Sequence, residues 1–143
     1  MKNIVILIAL FGILVLTSAS YGQQSDVKTT PSFKALQEHK LSVELQLKSL
    51  LKDFTASYPD VQKARYELDI TLREMAILTQ SSPKTVSLLS CDYGNKLVTK
   101  ISAETTLREM LTRLTFKHPS VIAQINLLSK LETELEKELK ISN

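Results

Sequence analysis

The sequence predicts an all-α protein, made of two duplicated helical hairpins that form a four-helix bundle or an extended antiparallel coiled coil. Three observations predict it. Past residue 32 there is one glycine, Gly94, and proline stands only at 59, 83 and 119, too little punctuation for many short strands. Apolar residues recur at alternating spacings of three and four, which is one seam of an α-helix. The chain also matches itself when its second half is laid over its first.

The first element is a leader. "MKNIVILIALFGILVLTSASYGQQ" has one charge at Lys2, an apolar run over 4–16, then small and polar residues, the three-part layout of a secretory signal peptide over 1–22. Cleavage before Gln23 fits best, with a cut after Ala19 or Ser20 as the alternative. The run is shorter than the roughly 17–25 apolar residues of a bilayer span, so only an uncleaved leader would act as an anchor. Residues 23–34, containing "QQSDVKTTPS", are polar and aperiodic and are expected to be a flexible lead.

Residues 35–80 form the first expected hairpin. Leu36, Lys40, Val43, Leu47, Leu50 and Phe54 make one seam, and Val61, Ala64, Leu68, Thr71, Met75 and Leu78 make the next. Between them stands Tyr58-Pro59. Proline cannot continue a helix interior but fits its first turn, and it drives the preceding residue out of the helical region. Phe54–Pro59 is therefore a helix–turn–helix corner with Tyr58 in the cap slot.

Residues 81–94 are expected to be a linker, in which Thr85–Leu89 chooses no period and is either a turn of helix or a short extended stretch, and Asp92–Asn95 is either a break or the start of a helix. Residues 95–143 form the second hairpin. Leu107, Met110 and Leu114 precede the corner at His118-Pro119, and Val121, Leu128, Leu131 and Leu135 follow it. Laid over one another, segments 41–75 and 101–135 are identical at Ser42/Ser102, Glu44/Glu104, Leu47/Leu107, Leu51/Leu111, Thr55/Thr115, Pro59/Pro119, Val61/Val121, Leu68/Leu128 and Glu74/Glu134. The shared positions follow the seam, as duplicated hairpins require. The pentamer "TLREM" at 71–75 and 106–110 puts Leu72 off the seam and Leu107 on it, and is treated as coincidence.

Composition narrows the function. The net charge of +3 falls to +2 once Lys2 is removed with the leader, leaving 17 basic against 15 acidic residues. That excess gives no electrostatic footprint for nucleic acid. Cys91 is the only cysteine, so no intrachain disulfide can staple the fold. It reads as a partly buried small side chain, or as a candidate for an intermolecular disulfide in an exported homodimer. There is no N-x-Ser/Thr acceptor, which suits a bacterial envelope protein.

His118 beside Pro119 invites a metal or general-base reading. Its counterpart is Tyr58, which replaces histidine in neither role near neutral pH. What the two share is a flat amphipathic ring that packs over a corner and offers one polar atom to a helix start. His39, between Glu38 and Glu44, reads as part of a solvated helix face. Neither the serines nor the carboxylates of "LETELEKELK" form a catalytic constellation, and no phosphate loop is present. No enzyme, cofactor or metal is expected.

The pattern L-x-x-x-L-x-x-[FL]-T-x-x-[YH]-P-x-V, in "LKSLLKDFTASYPDV" with its neighbours and in "LREMLTRLTFKHPSV", resembles the periplasmic helical segment of bacterial polysaccharide chain-length determinant and co-polymerase proteins. The resemblance covers the corners Tyr58-Pro59 and His118-Pro119 with about 30 residues around each, and implies a long helix returning at each corner and oligomerisation. That family's second membrane segment has no counterpart in these residues. In length, leader and helical character the chain is also similar to small periplasmic helical-hairpin chaperones, whose Leu-Thr-x-x-Gln signature "ILTQSS" approximates. The expectation is an exported, non-enzymatic protein of the periplasm or extracellular space. It would bind a protein partner or itself through helix faces, with no membrane contact after cleavage. The alternatives are a periplasmic holdase and a membrane-anchored accessory to polysaccharide export.

Overall fold

A computed structural model describes residues 26–142. The expected signal peptide over 1–22 lies outside the described residues. A 3-10 turn, Val27–Thr29, is followed by helices α1 (Pro31–Asp53), α2 (Pro59–Gln80), α3 (Pro83–Leu88), α4 (Cys91–Leu111) and α5 (Pro119–Ser142), and no strand occurs among the described residues. Four of these helices open on proline, where the missing N–H has no helical partner to lose. The exception, α4, is capped by Ser90, whose hydroxyl accepts from the Tyr93 N–H at 3.1 Å.

The lead expected to be flexible is ordered from Val27, and the expected linker takes the helical one of the alternatives left open for it. In the lead, the Asp26 carboxylate accepts from the Lys28 N–H and the Thr30 hydroxyl donates to the Val27 carbonyl at 2.6 Å. Val27, Ser32 and Phe33 are buried, so the chain is docked from Val27 onward. A three-residue turn with one buried valine leaves no period to detect. The 81–94 segment contains α3 and the first turn of α4. Val86, fully buried, and Leu89 anchor it, and 92–95 lies inside α4.

Gly94 is no break in α4. A Cβ there would lie 2.8 Å from the Ser32 Cα and 2.9 Å from both the Ser32 carbonyl oxygen and the Ala35 Cβ. Glycine is required because α1 and α4 approach one another backbone to backbone at this point.

α4 is the hub. It packs on α1, α2 and α5, while α1 also packs on α2, and α5 leans on α4 and α3. Phe33, Leu36, Ile70, Leu78, Val86, Leu89, Tyr93, Leu97, Ile101 and Leu135 form one core cluster. Val86 and Leu89 come from α3 and the residue after it, and the others from parts of the long helices away from the two corners. By contrast, 51–60 and 115–120 are exposed throughout. No described helix is long and apolar enough to cross a membrane.

Candidate functional site

The two corners share one backbone arrangement. The Tyr58 N–H donates to the Thr55 carbonyl and the His118 N–H to the Thr115 carbonyl, both at 3.0 Å. The Tyr58 carbonyl then accepts from Gln62 and the His118 carbonyl from Ile122, starting α2 and α5. Val61 and Val121 are both fully buried just inside those starts. The rings differ in use. His118 Nδ1 accepts from the Ser120 N–H at 3.3 Å, whereas Tyr58 makes no cap bond and stacks on Phe54 with centroids 4.1 Å apart. The expectation that both rings offer a polar atom therefore holds for His118 alone. Phe54 fills the space beside Tyr58, and Leu114 at the matching position cannot stack.

Cys91 is exposed at the first position of α4, where its side chain leaves the core to Tyr93 and Gly94. The partly buried reading is corrected accordingly. His39 is also displaced from its expected place on a solvated face. Only 14% of its side chain is exposed, and Nε2 lies 3.3 Å from the Glu67 carboxylate of α2 in an orientation that makes no hydrogen bond. The contact is one of proximity rather than a directed hydrogen bond. Glu67 is too far along the chain for a single-helix reading of "LQEHKLS" to find.

Sequence periodicity also misses the ion pairs that tie α4 to its neighbours. Lys100 bonds Glu74 of α2 at 2.9 Å and lies 3.5 Å from Glu104, with 18% of the Lys100 side chain and 12% of the Glu74 side chain exposed. Burial pushes the Lys100 ammonium down, but the Glu74 hydrogen bond and the charges of Glu74 and Glu104 outweigh it, and the net shift is upward from 10.5. One turn earlier, Lys96 bonds Glu138 of α5 at 2.6 Å and Asp92 at 2.8 Å. The Asp92 bond, then that to Glu138, raises Lys96 further above its ordinary range. Tyr93 sits beside these pairs, and burial first, then the Glu74 and Glu138 charges, raises its phenol above 10.0.

The polar seam residues find partners within the chain. The Thr71 hydroxyl donates to the Glu67 carbonyl at 2.7 Å, and Gln124 Nε2 donates to the Ala103 carbonyl of α4 at 2.9 Å. Lys40 pairs with Glu44 at 2.7 Å. Thr71 and Gln124 are thus tied into the chain, whereas Lys40 stays partly open to water.

Between the start of α2 and the end of α4 lies a cleft of about 160 Å³, lined by Pro59, Lys63, Tyr66, Arg108, Glu109 and Arg113 among others. The Arg108 guanidinium lies 3.9 Å from the centre of the Tyr66 ring, and Lys63 bonds Glu109 at 2.8 Å, which holds that carboxyl below its usual range. The volume is below the roughly 300–1,000 Å³ of small-molecule sites. The Thr105 and Thr112 hydroxyls that border it donate to the carbonyls of Ile101 and Glu109, so neither is set against a base. No protein-family model, curated protein or solved structure matches this chain.

The surface is richer than the cleft. Leu41 and Leu45, one turn apart on α1, are 58% and 60% exposed, and Ile77 of α2, Phe116 of the second corner and Ile122 of α5 are exposed as well. Among the described residues no three His, Cys, Asp or Glu side chains lie close enough to hold a metal ion.

Proposed function

We propose that this protein is exported to the cell envelope, where it binds or scaffolds other proteins through its helix faces as a duplicated pair of helical hairpins, without catalytic chemistry of its own. The observation that carries the reading is the open apolar stripe of Leu41 and Leu45 on a well-formed helix whose opposite face is already buried through Leu36 and Val43. Covering the stripe would be favourable, because fully burying a leucine contributes about 1.5–3 kcal/mol. The matching backbone at Thr55–Tyr58 and Thr115–His118 supports duplication. The mutual packing of α1, α2 and α4 supports a bundle over an extended coiled coil. Exposed Cys91 suits an intermolecular disulfide as an accessory link.

A photo-crosslinking side chain at Leu45, combined with mass spectrometry of the native protein, tests this. A mature N-terminus near Gln23 and a discrete crosslinked envelope protein or self-adduct are expected. A cytosolic chain with residues 1–22 intact, or no adduct, would sink it. Exposed Phe54, Tyr58 and Phe116 at the corners favour a holdase as the second reading. That reading requires suppression of client aggregation at stoichiometric ratio. The accessory role in polysaccharide export needs an uncleaved leader, which the same N-terminal measurement decides.

A further inference from the structure

The long helices of the two hairpins begin at matching positions of the repeat: Pro31 and Cys91 open α1 and α4, and Pro59 and Pro119 open α2 and α5. The surroundings of matching positions are not equal. On α4, Ile101 is fully buried and Thr105 nearly so, and α2 is joined to that helix by the Glu74–Lys100 and Lys63–Glu109 pairs and by Tyr66 beneath Arg108. The matching positions of α1 are Leu41 and Leu45, both open to water. The helix that would cover them by the same rule is α5, the counterpart of α2. Within one chain α5 packs on α4 and α3 and makes at most a marginal contact with α1.

The charges of the missing contact are nevertheless present. Lys40 is the counterpart of Lys100 in the repeat, and Glu134 is the counterpart of Glu74. Inside the chain Lys40 pairs with Glu44 and Glu134 lies 3.9 Å from Lys130, each within its own helix. Ala123 and Lys130, both exposed, and Glu134 of α5 match Lys63, Ile70 and Glu74 of α2, and Leu127, 41% exposed, shares that stripe although its own counterpart Glu67 meets His39 of α1. The apolar stripe on α1, Leu127 and Glu134 on one stripe of α5 and Lys40 at the height that matches Glu134 are parts from which an isologous interface can be built.

We propose that α5 of a second copy of this chain covers the Leu41–Leu45 stripe of α1, with Glu134 of each copy pairing with Lys40 of the other in a twofold dimer. The inference rests on the duplication and helix-face binding argued above, and it names the partner.

Sedimentation equilibrium of the purified protein in reducing buffer tests it, with far-UV circular dichroism to confirm that each variant keeps its helix content. The parent chain is expected to dimerise, and Leu45→Arg to weaken the dimer by at least about tenfold. Lys40→Glu and Glu134→Lys should each weaken it roughly tenfold, and the double variant should restore it. The double variant keeps both new intrahelical repulsions, so recovery reports the contact between copies. Leu72→Arg, on an exposed face of α2, should leave the dimer unchanged. A monomer at every concentration, a dimer indifferent to Leu45→Arg, or a charge swap without recovery overturns the proposal. A monomer that still crosslinks from position 45 to another envelope protein overturns the self-association while leaving the binding role standing.

Discussion

Gly94 of α4 rests directly on the backbone of Ser32 in α1, so close that a single added methyl group would stand 2.8 Å from the Ser32 Cα. In an exposed helix interior, alanine is favoured over glycine by roughly 0.5–1 kcal/mol. Here the sign should reverse, because the obstructing atoms belong to α1 backbone and cannot rotate away. Gly94→Ala is expected to destabilise by about 1–2 kcal/mol and Gly94→Val by more, measured by urea denaturation. A stabilised Gly94→Ala would show that α1 and α4 do not meet at this crossing.

Alkaline pH should loosen the hub. Tyr93 and Lys100 both have folded pKa values raised above their ordinary 10.0 and 10.5. A raised folded pKa contributes stability that is fully present below the unfolded value and is lost as pH rises through the folded one. Stability should therefore fall above about pH 10, as Tyr93 ionises beside Glu74 and Lys100 loses the proton that binds Glu74. Spectrophotometric titration should show one tyrosine lagging the others, and Tyr93→Phe should remove the lag. If all tyrosines titrate together with the fold intact, Tyr93 is not held in this environment.

Much of the fold is legible in the sequence, for identifiable physical reasons. A seam such as Val61, Ala64, Leu68, Thr71 reads as a helix because burial on one face imposes the 3.6-residue period. The corners at Pro59 and Pro119 read because proline's missing donor restricts it to a first turn. What cannot be read depends on contacts between helices. Gly94 reads equally as a break or as part of a helix start because its need is set by Ser32, which no local pattern reports. His39 reads as solvated because Glu67 approaches it from α2. Val27 and Phe33 are lost in a polar stretch too short to have a period, although Pro31 and Thr30 already carry a helix start. Lys96 and Lys100, one turn apart, carry no local sign of their pairing because their partners Glu138 and Glu74 lie on different helices.

Gln124 offers a test of how α5 is held. Its side-chain amide donates to the Ala103 carbonyl, while its counterpart Ala64 is buried and small. Gln124→Glu keeps the size but sets an ionised acceptor against a carbonyl oxygen. The variant should lose about 1–3 kcal/mol near neutral pH and regain most of it relative to the parent as pH falls, because the protonated carboxyl again donates. Thermal melts of the two proteins across that range would reveal it. A constant difference would mean that the side chain at 124 turns to solvent.

The second corner separates a reactive histidine from a structural one. His118 accepts one backbone hydrogen bond from Ser120 in an exposed setting, and the corner around Tyr58 adopts the same backbone without that bond. Replacing His118 with Tyr should therefore cost no more than about 1 kcal/mol, the scale of a lost cap, and leave partner binding intact. Val121, fully buried one turn inside the corner, behaves differently. Val121→Ala should cost about 1–3 kcal/mol by emptying space between α4 and α5, and Leu114→Ala should also loosen the hairpin. Hydrogen exchange over 110–125 would register both losses while passing over His118→Tyr. Loss of activity in a well-folded His118→Tyr protein would instead mean that the imidazole itself touches a ligand.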